Sequence, residues 1–201
     1  TAGAGFVERG LTLREAIRTR QFWTICFTNL TVVFCLMVIM LHTTPHAMDI
    51  GIPATTAAGL ISTIAGASVI GRLTIGFIAD RAGYRNCMIC CILVLISAFL
   101  WLQVADELWM LYLFALFYGM GHGGHFTLIS PLVAEHFGIR SHGVLFGIVL
   151  FAGTFGGAVG PILAGHLFDI TGSYSSAFWI CAVVGSVGLG LILSLRQKIA
   201  F

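Results

Sequence analysis

The chain has 201 residues, of which 58% are A, V, I, L, M, F, W, Y or C and only 9% are charged, with a formal net charge of +2. Those proportions lie far from those of a water-soluble domain and place the chain in a lipid bilayer. Neither a nucleic-acid partner nor an enzymatic activity is expected of it.

Residues 1–21 read as a cytoplasmic lead-in. Within it Leu11 to Gln21, LTLREAIRTRQ, has the pattern of a short amphipathic helix along the inner surface, with Thr12 as its cap. The first residue is Thr and no charged, apolar, small-residue leader precedes Phe22, so the chain reads as a fragment without a signal peptide. A bilayer core takes ~20 apolar residues per helix, and six windows meet that need. They run from Phe22 to Thr43, Ala54 to Ala79, Cys87 to Ala105, Leu108 to Ala134, Gly143 to Phe168 and Tyr174 to Leu195. Residues 22–195 therefore form a six-helix transmembrane bundle, and 196–201 a cytoplasmic tail. Cysteines 26, 35, 87, 90, 91 and 181 all fall inside spans. They read as small packing residues, since no loop cysteine exists to build a disulfide framework and Cys87-x-x-Cys90 has no second pair.

Arginine and lysine sort by loop. Arg9, Arg14, Arg18 and Arg20 precede the first span, Arg81 and Arg85 join the second to the third, Arg140 joins the fourth to the fifth, and Arg196 and Lys198 follow the sixth. Residues 44–53, 106–107 and 169–173 contain no Lys or Arg and carry Asp49, Asp106, Glu107 and Asp169. The bias predicts both termini inside, in an integral protein of the plasma (inner) membrane.

The second span closes on GRLTIGFIADRAGY and the fifth on GPILAGHLFDITGSY. Gly71, Gly76, Asp80 and Gly83 match Gly160, Gly165, Asp169 and Gly172 at one constant offset, and the two spans run in opposite directions. The fold class expected is an all-α membrane protein, six transmembrane helices arranged as a 3+3 inverted repeat, the build of many secondary transporters. Gly153-x-x-x-Gly157 and Gly156-x-x-x-Gly160 in the fifth span, with Ala67-x-x-x-Gly71 in the second, predict close helix contacts.

The run Gly76-Phe-Ile-Ala-Asp80-Arg81-Ala-Gly83-Tyr-Arg85 resembles the loop motif G-x-L-A-D-R-x-G-R-K of the major facilitator superfamily, with Tyr84 at the first of the two closing basic positions. FWTICF, HAMDIGIPATTAAGLIS and the two segments above are similar to the C-terminal half of its monocarboxylate and oxalate/formate branch, and the likeness covers almost the whole chain. It implies half of a major facilitator fold, a missing N-terminal six-helix half as partner, and alternating access. Read physically, Asp80 at the inner surface accepts hydrogen bonds from a neighbouring helix N-terminus while Arg81 and Arg85 hold it, a cluster that makes and breaks as a gate moves. The same charges also fit a purely topological role.

Arg72 is the strong basic group deep in a span, eight residues before Asp80 and so about 12 Å inside the second helix. A guanidinium there cannot lose its charge and needs water or an anion, and the spans offer no obvious acidic partner, so a small organic anion with a carboxylate is the expected ligand. The resemblance implies the same role for Arg72. It also implies, from Ser68 where monocarboxylate transporters often carry Asp, that no proton-carrying Asp-Arg pair is present. The resemblance implies further that a dicarboxylate is the poorer candidate, because oxalate-type members carry a lysine in the helix corresponding to the fifth span and no lysine precedes Lys198 here.

The fourth span carries YGMGHGGHF, in which His122 and His125 lie three apart with Tyr118 one turn earlier. Near mid-membrane such rings either donate to a carboxylate and take a proton or bond a neighbouring helix; Asn29 in the first span is a polar candidate of the same kind. Two histidines fall short of a zinc set, and no metal or cofactor is expected. The reading is thus a monocarboxylate transporter half, with protons as a candidate coupling ion. The alternatives are a membrane metal or haem protein built on His122 and His125, and a non-transporting sensor on the same fold.

Overall fold

The computed structural model describes residues 10–195. Seven helices follow in order: α1 (Leu13–Ala16), α2 (Arg20–Asp49), α3 (Ala54–Ala82), α4 (Tyr84–Leu102), α5 (Leu108–Phe137), α6 (His142–Thr171) and α7 (Ser175–Leu193). Helices α2 to α7 are the six expected spans, and several run longer than apolar content alone suggests. A 30-residue helix is about 45 Å long against a hydrocarbon core of ~30 Å, so its ends pass through the headgroup layer or it tilts.

Five of these helices, α2, α3, α4, α6 and α7, are long and apolar enough to cross a membrane. Although α5 has the length, Tyr118 to Phe126 dilutes its apolar content with four glycines and two histidines. That polarity is turned inward, because α5 presents Leu111, Phe114, Leu128, Leu132 and Phe137 as fully buried residues and forms with α2 the centre of the bundle.

Within the described part of the lead-in, the helix before α2 is a single turn. Thr12 caps a single turn through a capping box with Glu15, whose carboxylate accepts from the Thr12 backbone N–H at 2.8 Å. The backbone and side-chain hydrogen bonds of Thr12, with Arg140 nearby, hold the Glu15 carboxyl below its usual range. Then the chain breaks, because the Thr19 hydroxyl donates to the Ala16 carbonyl and accepts from Phe22 N–H, ending one helix and capping the next. The segment before α1 is pinned to the α5–α6 connection: Leu11 N–H donates to Phe137 O at 2.9 Å, and Gly10 pairs with Gly138. Residues 1–9 of the lead-in and the tail 196–201, with Arg9, Arg196 and Lys198, lie outside the described residues.

The packing obeys the repeat. The two most extensive helix contacts are α3 with α5 and α2 with α6, which exchange when the first three spans are superposed on the last three. Gly71 shows why glycine recurs: a Cβ there would run into the Met120 backbone, and at the matching Gly160 it would lie 2.6 Å from Phe34 O. Close backbone approach is how helices associate where lipid supplies no hydrophobic drive. Gly83 and Gly172, the last matched pair, take φ of 85° and 67°, left-handed values at the ends of α3 and α6 where glycine is favoured. Gly153, Gly156 and Gly157 press α6 on α2 in the same way, against Asn29, Leu30 and Met37.

The loops with arginine gather at one end. Arg85 reaches the last carbonyls of α7, residues 10–11 meet the α5–α6 turn, and Arg20 and Ser194 share a recess. At the other end Trp101 donates to Met110 O, Tyr112 to Thr56 O and Ser175 to Gln103. No arginine occupies that end among the described residues.

Candidate functional site

Gly119 and Gly123 of α5 lie against the backbone of Ile64 and Ser68, so the approach of α5 to α3 sets which α5 side chains face which neighbour. One turn along α3 from Ser68 stands Arg72, exposed, making no hydrogen bond or ion pair among the described residues. His122 on α5 lies between Met120, whose backbone backs onto Gly71, and Gly123, which backs onto Ser68, so the same helix contact brings it to the level of Arg72. The ring is half-buried, lies parallel to Tyr118 with centroids 6.0 Å apart and meets Phe126 edge-on at 5.0 Å, and its Nδ1 is buried without a hydrogen-bond partner.

His125 departs from the expectation that both imidazoles share a path with Arg72. Three residues turn a helix through about 300°, so His125 sits about 60° round α5 from His122 and looks toward α2. It is fully buried, with Nε2 3.4 Å from Asn29 Oδ1, while Asn29 Nδ2 donates to Val149 O at 2.8 Å. This line joins α5, α2 and α6, which is the helix-bonding alternative of the sequence reading. Tyr118 is likewise interior, packed on Phe114 and Phe99. Of the five candidate residues, then, Arg72 and His122 come together at an accessible position, and Asn29, Tyr118 and His125 lie behind them in the bundle.

The loop motif is built differently from the expected Asp-Arg cluster. Asp80 Oδ1 accepts from the Tyr84 hydroxyl at 3.1 Å, and the Arg81 guanidinium lies over the Phe77 ring at 4.3 Å. Arg85 donates from Nε to Ile192 O at 3.3 Å and from Nη2 to Leu193 O at 2.7 Å. The reason is local: with Gly83 alone between α3 and α4, Arg85 lies in the first turn of α4 beside the C-terminus of α7, whose last carbonyls lack helical partners and carry the negative end of the dipole. In the sequence Tyr84 shows only as a replacement of the first basic position; it meets Asp80 across the Gly83 break between α3 and α4, a contact that no helical spacing announces. Arg85→Ala is expected to lower the stability of the purified protein by about 1 kcal/mol, with Arg85→Lys recovering only part because one ammonium cannot serve both carbonyls. A thermal-unfolding midpoint unchanged in Arg85→Ala would remove the capping role.

A helical membrane bundle with an inverted repeat is the build of many secondary transporters. The sequence model of the Major Facilitator Superfamily matches residues 22–198, and the chain belongs to that superfamily. It is 30% identical over 166 residues to monocarboxylate transporter 12 of Homo sapiens, covering 79% of this chain and 32% of that protein. With human monocarboxylate transporter 7 the identity is 36% over 147 residues, covering 71% and 28%. The chain thus spans about a third of the length of the curated relatives it matches. Among solved structures, the POT family transporter PepTSo superposes with a TM-score of 0.79 at 21% identity over 90% of this chain and 38% of that one, a likeness of fold. This is an integral membrane protein of a transporter family.

Proposed function

We propose that the chain is the C-terminal half of a transporter that moves a small organic anion, a monocarboxylate, across the membrane by alternating access. The observation that carries this reading is Arg72: an exposed guanidinium about 12 Å inside α3, with no ion pair among the described residues, on the α3–α5 contact that also holds the half-buried His122. A carboxylate satisfies it in a fork geometry, and His122 is placed to donate to the same anion or to take up a proton. The names of the relatives support the same substrate class. Asn29 and His125 act behind this pair by fixing α5 against α2, and Tyr118 by packing α5 on Phe99 of α4. The N-terminal six-helix half supplies the opposite wall of the path. The gathering of arginine at one end supports both termini facing the cytoplasm of the plasma (inner) membrane. The metal or haem reading and the sensor reading gain nothing from the relatives.

The test is uptake. The full-length protein, reconstituted in liposomes, is expected to accumulate a labelled short monocarboxylate, with competition by other monocarboxylates and little by dicarboxylates. Failure to move any organic anion under an imposed gradient of substrate or protons would sink the proposal.

Asp80 and Tyr84 stand at the gate in this reading. Asp80→Asn keeps an acceptor for the Tyr84 hydroxyl but removes the charge, so turnover is expected to fall several-fold while half-saturation stays near that of the parent. Exchange rates equal to the parent would exclude the gating role.

A further inference from the structure

Along the flank where α4 crosses α5 runs a groove of about 450 Å³, walled by Leu93, Val94, Ser97 and Trp101 of α4 and by Phe114 and Phe117 of α5. Through Val94 and Phe117 it continues into a recess of about 230 Å³ reaching Thr74 of α3 and Cys90 of α4. Trp101 to Cys90 is eleven residues, about 16 Å along α4 and close to half of a ~30 Å hydrocarbon core. The groove therefore has the reach of one leaflet. The donors of its wall are occupied within the protein, because the Ser97 hydroxyl donates to Leu93 O, the Thr74 hydroxyl to Ile70 O, and Trp101 Nε1 to Met110 O.

The mouth has a sign. Trp101 meets Trp109 at 6.3 Å, and Trp109 Nε1 donates to Glu107 Oε2 at 2.6 Å, with Asp106 exposed beside it and no Lys or Arg in residues 103–107. Tryptophans of this kind sit at headgroup level, where aromatic faces and carboxylates favour a cation and oppose an anion. The groove also looks away from the proposed anion site. His122 follows Phe117 by five residues, about 140° round α5, and neither His122 nor Arg72 lines the groove.

We infer that this groove is a phospholipid site, holding one acyl chain between α4 and α5 with an ammonium-bearing headgroup at Trp101, Trp109 and Glu107. The shape selects a hydrocarbon chain, the length selects a single leaflet, and the acidic mouth selects the headgroup. The inference stands apart from the transport reading, since it needs neither Arg72 nor a transported substrate.

The test uses the full-length protein in liposomes with photoactivatable phospholipids that carry a diazirine on one acyl chain and either an ethanolamine or a phosphoglycerol headgroup. After irradiation, mapped peptides are expected to show label in residues 93–101 and 113–117 several-fold above that at Val183 and Val187, which are exposed on α7. The ethanolamine probe should label more than the phosphoglycerol probe. Ser97→Phe, a change at an exposed residue that fills the groove, should remove the excess. Even labelling of α4, α5 and α7, or an excess that survives Ser97→Phe, reduces the groove to ordinary boundary lipid and overturns the site. An excess seen only with a diazirine sterol, or no label there because the other half covers the flank, overturns it equally.

Discussion

Uptake of a labelled monocarboxylate is expected to fall about thirtyfold or more in Arg72→Lys, equivalent to roughly 2 kcal/mol or more of lost interaction with the anion. Arg72→Ala should do at least as much. Lysine keeps the charge but not the planar fork, so a retained point charge that restores little is the signature of bidentate carboxylate binding. Because Arg72 is exposed and makes no hydrogen bond among the described residues, its replacement leaves the helix contacts intact. Membrane insertion and thermal stability are accordingly expected to match the parent. Normal uptake in Arg72→Lys would remove the main support for an anion site on α3.

The second large effect is structural. Gly156→Ala adds one methyl group to α6, yet that methyl would meet the carbonyl oxygen of Leu30, with Phe34 N at 3.1 Å, and neither is a side chain that can swing aside. The helices must separate, at about 1–3 kcal/mol or more. Gly147→Ala, on the same helix with nothing within 4 Å of the added group, should be neutral or slightly stabilising. A fall in unfolding temperature for the first variant and none for the second separates backbone contact from a general dislike of side chains at glycine. Equal behaviour of the two would exclude the close α2–α6 crossing as a source of stability.

Much of this fold was legible in advance, since six long apolar windows and a repeat at constant offset carry their meaning in the sequence. Gly71 and Gly160 recur because the same crossing is made twice, and the structure assigns the two the same role. Site geometry was less accessible. The spacing of His122 and His125 establishes a shared helix side, but whether 60° of rotation puts the second ring beside Arg72 or against α2 depends on how Gly119 and Gly123 seat α5 on α3. The partners of Asp80 and Arg85 were hidden for a related reason: the C-terminus of α7 is more than 100 residues away from Arg85. Contacts of that kind have no local pattern. The break in the lead-in has no pattern of its own in the sequence, because one hydroxyl, that of Thr19, both ends one helix and caps the next.

The weak apolar character of α5 bears on how the bundle is made. A segment with two imidazoles and four glycines between Tyr118 and Phe126 partitions into hydrocarbon less readily than its neighbours, since each polar ring and each exposed peptide group is costly there. Its partners are α3, which receives Gly119 and Gly123, and α2, whose Asn29 meets His125. Both precede α5 in synthesis. During translation α5 therefore enters a bilayer that already holds the helices able to shield it, and the short connection from α4, residues 103–107, keeps it beside them. Chain order thus serves as an assembly instruction, with the histidines of α5 emerging after the surfaces that accommodate them.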